Sequence, residues 1–266
     1  MKKAKCNVSV IITNYNKKKY IVDTIKSVLS QGYKNFEIIV IDNLSTDNSY
    51  KLISKYKKIR LFRNIIKKTS ALNQIKSIEI GLKKSRGKII CLLDGDDIFR
   101  KNKLRDIVEY FEKNPYSQAV CDIPLIKDKS QLNAFNYDNK RVNSNKIWPT
   151  TFPTSSISIK KKYLLDCIKK FQKEKFDFLE IDFRLCCVFS LYKKNYNVLN
   201  KNLTYYRQVN DGIMSSYKKF EKKWWIKRSQ AFDFFFFIKK RFKKKYSYSF
   251  DYFLTKTISK IYNGLK

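Results

Sequence analysis

The chain contains no histidine. That absence excludes nucleophile systems that work through imidazole, Ser-His-Asp and Cys-His alike, and every imidazole metal site, so any metal must sit on oxygens. The six cysteines, at positions 6, 91, 121, 167, 186 and 187, show no C-x-x-C spacing. Several lie inside apolar runs, where cysteine serves as a small hydrophobe, and free thiols are expected. No apolar run reaches the roughly 18 residues that a membrane span requires. The basic start Met1-Lys2-Lys3-Ala4-Lys5-Cys6 leads into an apolar stretch without a small-residue cleavage site. It therefore does not read as a signal peptide, and the expected location is the cytoplasm or the inner face of its membrane.

Acidic residues are also scarce: 23 Asp plus Glu stand against 58 Lys plus Arg, a formal charge of +35. Such an excess favours nucleic acid, anionic lipid or a phosphorylated substrate, and its sign alone does not choose among them. Most of it is lysine spread along the whole chain, which a compositional bias of the source genome would also produce. What is present is 266 residues, 43% hydrophobic and 15% aromatic. That is enough for one or two domains with an enclosed core, and too apolar for disorder.

Val8-Ser9-Val10-Ile11-Ile12 is a β-branched run suited to a strand buried on both faces, and Ile21, Ile25, Val28 and Leu29 then recur at helical spacing. The pattern repeats with a strand at 36–41, a helix through Leu52, Ile53 and Tyr56, and a strand at 59–62. A longer helix carries Leu72, Ile75, Ile78 and Leu82, stops at Gly87 as a C-terminal glycine would, and delivers a strand at 89–93. This alternation predicts a parallel sheet covered by helices. A helix through Leu104, Ile107, Val108 and Phe111, a strand near 119–123 and an alternating strand at 156–159 follow. Ile181, Leu185, Val188, Phe189 and Tyr192 share one helix face. Residues 127–146 are polar, without either periodicity, and are expected to form a mobile loop.

In an open parallel sheet the ligand lies beyond the carboxyl ends of the strands. Three polar groups stand there: Thr13-Asn14-Tyr15-Asn16, Asp42-Asn43-Leu44-Ser45-Thr46-Asp47 and Asp94-Gly95-Asp96-Asp97. Three carboxylates within four residues repel one another unless a cation or hydrogen-bond donors compensate. Mg²⁺ or Mn²⁺ suits such oxygen ligands and commonly bridges a carboxylate to a diphosphate. A solvated acidic turn is the plainer reading, because Asp and Gly favour turns.

These three groups, together with Ser27-Val28-Leu29-Ser30-Gln31-Gly32-Tyr33, occur in an order and spacing that resemble family 2 glycosyltransferases of the GT-A fold over residues 7–113. The resemblance implies a Rossmann-like, mostly parallel sheet flanked by helices. The implied domains are a glycosyltransferase domain over 1–214, with a nucleotide-binding half (1–126) and an acceptor half (127–214), and a basic, aromatic, helical C-terminal extension over 215–266. No glycine-rich phosphate loop occurs, so the diphosphate would be held by metal. By resemblance, Thr13 and Tyr15 line the nucleotide pocket, Asp42 hydrogen-bonds the base, Asp94 faces the ribose, Asn73 lines the diphosphate side and Asp96 binds Mn²⁺ or Mg²⁺. The more ordinary readings are a packing aromatic for Tyr15, a turn residue for Asp42 and a solvent-facing helix residue for Asn73. Asn43 stands where a second Asp is common, and Glu79 where Asn is expected.

Inverting members of the family use a carboxylate opening a helix in the second half. The matching stretch is Leu179-Glu180-Ile181-Asp182-Phe183-Arg184-Leu185, which points to Asp182 as the base, with Glu180 as rival and a helix-dipole acid as the alternative. The implied partners are a nucleotide-sugar donor and a glycan or lipid-linked acceptor in cell-surface glycan synthesis. Trp224-Trp225, residues 234–237 and the basic run 239–245 suit a segment lying on an anionic bilayer, or one packing onto the domain or a second subunit. A basic nucleic-acid binder would leave the carboxylates unexplained, and nucleic acid is not an expected partner.

Overall fold

The computed structural model describes residues 6–128, 131–134, 148–191, 196–210 and 212–264. The expected alternation appears as β1 (Val8–Asn14), α1 (Ile21–Leu29), β2 (Phe36–Asp42), α2 (Ser49–Ser54), β3 (Ile59–Arg63), α3 (Ser70–Lys84) and β4 (Ile89–Asp94). There follow β5 (Ile98–Phe99), α4 (Lys103–Lys113), β6 (Ala119–Asp122), β7 (Leu125–Asp128), β8 (Gln131–Ala134), β9 (Ile157–Lys160), α5 (Lys161–Lys170) and α6 (Ile181–Leu191). The chain then forms β10 (Tyr196–Leu199), β11 (Thr204–Arg207), α7 (Lys222–Arg241) and α8 (Phe250–Gly264).

Seven strands form the main sheet in the order β10-β6-β9-β4-β1-β2-β3. All neighbours pair in parallel except β9, which runs antiparallel between β4 and β6. This is an α/β fold of the GT-A kind, as the sequence predicts. The continuous apolar runs follow from burial on both faces. Along β1, Val8, Val10 and Ile12 enter one core with α1 and α4, while Ile11 enters a second core with α3, α5, α6 and α7. A smaller sheet, β5-β11-β7-β8, stands beside the first.

Two expectations are corrected. The helix α3 ends at Lys84 with an extended Ser85, and Gly87 does not adopt a positive φ. Its lack of a side chain serves close approach instead, since a Cβ there would lie 2.5 Å from the Ser9 backbone nitrogen. Within the stretch 127–146 expected as loop, β7 and β8 pair antiparallel, Lys127 opposite Leu132; residues 135–146 lie outside the described residues, as does Tyr192. Of the two placements expected for the aromatic run 234–237, packing onto the domain is the one found. Phe234 and Phe235 are buried with Ala231 and Ile238 in the core that holds α6, and Phe234 meets Phe171 and Phe176 edge-on.

Candidate active site

Parallel pairing brings the ends of β1, β2 and β4 to one level, with Thr13 opposite Asp94 and Asn14 opposite Asp42. Asp94 Oδ1 accepts from Thr13 Oγ1 at 2.8 Å and from Gln74 Nε2 at 2.9 Å, and the Asp94 N–H donates to Ser155 Oγ at 3.0 Å. Burial, and then the Asp96 charge, push the Asp94 carboxyl up to about 6. Asp97 is enclosed: Ser155 Oγ donates to it at 2.5 Å and the Arg207 N–H at 2.8 Å. Burial, Asp96 and Asp94 hold it well above the usual carboxylate range. The three acids therefore differ in role. Asp97 ties β11 to the loop after β4, while the Asp96 carboxylate meets Lys17 Nζ at 3.0 Å.

Among the described residues no three acidic or cysteine side chains are grouped as a metal cage. Mg²⁺ and Mn²⁺ need none, because one or two carboxylates with water and phosphate oxygens complete their coordination. An ammonium already drawn to Asp96 and an Asp94 reluctant to ionise mark a place short of positive charge, so these residues fit such an ion.

Asp42 does not face the crevice. It is fully buried; its Oδ2 accepts from Asn14 Nδ2 at 2.7 Å and Ser45 Oγ at 2.6 Å, and its Oδ1 from the Ser45 N–H at 3.0 Å. The direct base contact expected of Asp42 is thus corrected to its turn-forming alternative, because its carboxylate is spent on folding the loop after β2. The next residue, Asn43, is half-buried, and with its amide nitrogen turned toward the Asn64 and Ile66 carbonyls it also accepts from Asn73 Nδ2. Asn73 in turn brackets the Lys68 backbone, accepting from its N–H at 3.0 Å and donating to its carbonyl at 3.1 Å. These bonds give Asn73 a loop-holding role in this structure. Tyr15, by contrast, is 54% exposed at the mouth.

The acceptor half delivers Asp182 at the start of α6, where its Oδ1 accepts from the Phe183 N–H at 2.6 Å. Burial, and then the neighbouring Glu180, push the Asp182 carboxyl up to about 7, and Asp94 across the crevice adds to the rise. Glu180 is buried and ion-paired with Lys227 of α7, so its carboxylate is already committed. Tyr206 on β11 stands between the two groups of acids: burial raises its phenol, and Asp97, Asp182, Asp94 and Asp96 all contribute.

Arg184, completely buried, sets where Asp182 stands. Its guanidinium donates to the carbonyls of Leu179 at 2.9 Å, Phe171 at 3.1 Å and Lys173 at 3.2 Å, and also to that of Phe176. Desolvation lowers its pKa to about 10. The turns between α5 and α6 are thereby wound around one side chain.

Gln74, Ser155, Tyr206 and Arg207 are site residues that sequence reasoning missed. Gln74 lies on the buried face of α3, where a polar residue among Leu72, Ile75 and Ile78 is a detectable break in the pattern. The other three come from the second half and carried no spacing signal.

The sequence model for glycosyl transferase family 2 matches residues 9–181. A glycosyltransferase of Rickettsia felis is 36% identical over 124 residues, 47% of this chain but 20% of that protein, so the chain spans about a fifth of such relatives. The putative teichuronic acid biosynthesis glycosyltransferase TuaG of Bacillus subtilis is 28% identical over 82% of this chain and 86% of its own length. The UDP-Glc:alpha-D-GlcNAc-diphosphoundecaprenol beta-1,3-glucosyltransferase WfaP of Escherichia coli is 37% identical over 46% of this chain and 47% of its own. Among solved structures, S. aureus TarS 1-349 in complex with UDP-GlcNAc superposes with a TM-score of 0.58 at 18% identity, covering 85% of this chain and 65% of that one. The Pyrobaculum calidifontis mannosyltransferase PcManGT, in complex with GDP-Man and Mn²⁺, gives 0.57 at 17% identity over 92% and 67%.

Proposed function

Because the chain belongs to glycosyl transferase family 2, we propose that it moves a sugar, with inversion, from a nucleotide-sugar donor to a hydroxyl acceptor in cell-surface glycan synthesis. The observation that carries this reading is the row of polar groups at one level of the main sheet, Thr13 bonded to Asp94 and Asn14 to Asp42, with Asp96 directly after β4; Asp182 opens α6, and Asp94 contributes to its raised pKa. The nucleotide would lie over the ends of β1 and β2, with Thr13 and Tyr15 at its side. Asp96 and Asp94 would hold Mn²⁺ or Mg²⁺ against the diphosphate. Bound there, the ion supplies positive charge to the leaving nucleoside diphosphate.

Asp182 accepts the proton of the acceptor hydroxyl as that oxygen attacks the anomeric carbon, and the bond to the diphosphate breaks on the opposite face. A carboxylate poised near neutrality balances ionisation against basicity. Lys17, paired with Asp96, supplies positive charge beside the place where the diphosphate would lie. TuaG and WfaP support a surface-glycan product, and the name of WfaP, with its diphosphoundecaprenol substrate, supports a lipid-linked acceptor. The proposed catalytic body comprises 1–214 together with α7, whose buried aromatics share the α6 core.

The test is a panel of nucleotide sugars assayed for metal-dependent donor hydrolysis and thermal stabilisation. Asp96→Ala should abolish the metal dependence of nucleotide binding. Undiminished Mn²⁺-dependent affinity in that variant would remove Asp96 from the site.

A further inference from the structure

The helix α8 buries Thr255 and Ser259 and packs on α7 through Tyr252 against Phe232 and the ion pair Arg228–Asp251. Its opposite side is apolar and open: Phe250 is 82% exposed, Phe253 56%, Leu254 43% and Ile261 56%. These positions recur at helical spacing, so they form one stripe. The segment leading into the helix is not loose. Phe236 stacks on Tyr246 at 5.1 Å and Tyr248 on Tyr252 at 4.7 Å, which ties the chain between the basic run 243–245 and α8 to both helices.

Charge identifies the occupant. Residues 239–264 hold eight Lys or Arg and one acid, Asp251, and that acid is paired with Arg228. A second copy of this chain would set two such basic faces against each other, and nucleic acid offers nothing to aliphatic Leu254 and Ile261. We infer that the exposed face of α8, with the basic run before it, is a docking surface for an anionic lipid bilayer. An apolar stripe bordered by lysines enters the headgroup layer while the cations meet lipid phosphates. No helix among the described residues is long and apolar enough to cross a membrane, so α8 lies along the surface.

The docking face connects to the candidate active site through adjacent residues of α7. Lys227 holds Glu180, two residues before Asp182, and Arg228 holds α8. The surface thus deepens the proposed function: resting on the reading of a lipid-linked acceptor, it brings the acceptor's membrane to Asp182.

The experiment is sedimentation of the full chain with phosphatidylcholine vesicles, with and without phosphatidylglycerol, at low and high salt. Binding is expected only with the anionic lipid, weakening as salt rises. The double variant Phe253→Ser/Leu254→Ser should bind about tenfold or more weakly, from the apolar area withdrawn, with an unchanged melting temperature because both side chains are exposed. Three results would overturn the inference: no sedimentation with anionic vesicles at low salt, equal binding by the double variant, or a dimer that the double variant dissolves. Donor hydrolysis without vesicles, which these substitutions leave unchanged, tests the proposed activity separately.

Discussion

Asp42 and Asp182 are both acids at the end of a regular element, and they differ in what neighbours do to the carboxylate. Asp42 has three donors from its own loop and β1. Asp42→Ala would strand the Ser45 N–H and hydroxyl without their acceptor and leave the Asn14 amide only Ser45 and Ser49, so unfolding in urea should show a loss of about 1 to 3 kcal/mol. Asp182 accepts from the Phe183 N–H alone among the described residues, and on folding its pKa rises from 3.8 to about 7. Between those values the folded protein keeps a proton that the unfolded chain has released, so this residue's contribution to stability declines as pH climbs through the window. Asp182→Asn removes that titration. Melting curves over a pH series should show the variant gaining on the parent with rising pH until the window is passed, while transfer falls by roughly 10²-fold or more and donor affinity holds. In the parent, transfer should rise with pH through about 7 as Asp182 ionises. The sequence exposed Asp94 and Asp96 because they follow a strand directly. It could not separate Asp42 from Asn43, because which of two successive loop residues turns inward depends on Asn14 and Ser45, partners that only folding supplies.

Among the elements, the turns between α5 and α6 have almost no regular structure of their own, yet they position the start of α6. Four carbonyls there converge on Arg184. Arg184→Lys keeps the charge but replaces a planar fork by a compact ammonium with three donors, which cannot reach four carbonyls arranged around it. The expected outcome is a melting temperature several degrees lower, since roughly 1 kcal/mol shifts it by 2 to 4 °C at this size. Transfer should fall more than donor affinity, because Asp182 loses its placement; equal losses of both would remove the positioning role. The strands and helices were legible because their apolar periods are local. This cluster was not: a lone Arg in an apolar helix reads as solvent-facing until the carbonyls appear.

Across the whole molecule, one buried cation joins the two sheets. Lys103 Nζ donates to Asp122 Oδ1 at 2.5 Å, Thr204 Oγ1 at 2.6 Å and the Ser155 carbonyl at 2.7 Å, with both charged side chains fully buried. Removing one partner of such a pair strands the other charge. Lys103→Met should therefore cost about 3 to 5 kcal/mol in denaturant unfolding, and Lys103→Met with Asp122→Leu should cost markedly less. A double variant as unstable as the single one would show that the hydrogen bonds to Ser155 and Thr204 dominate. A parallel sheet covered by helices could be foreseen from the first half because βα alternation permits few topologies, and its GT-A form from the family resemblance. The second sheet could not, since it joins the short strands β5 and β11 to the β7–β8 pair, three segments distant in sequence.

The antiparallel strand β9 sits between β4 and β6 although it follows both in the chain. During synthesis from the N-terminus, β1 to β4 can join as soon as they emerge, but the outer edge of β4 then waits for residues 157–160. Until they leave the ribosome, that edge offers unpaired backbone groups to any other extended chain nearby. The nascent protein thus passes through a sticky interval that its finished form does not reveal. Pausing translation before β9 would lengthen that interval, and pausing after it would not.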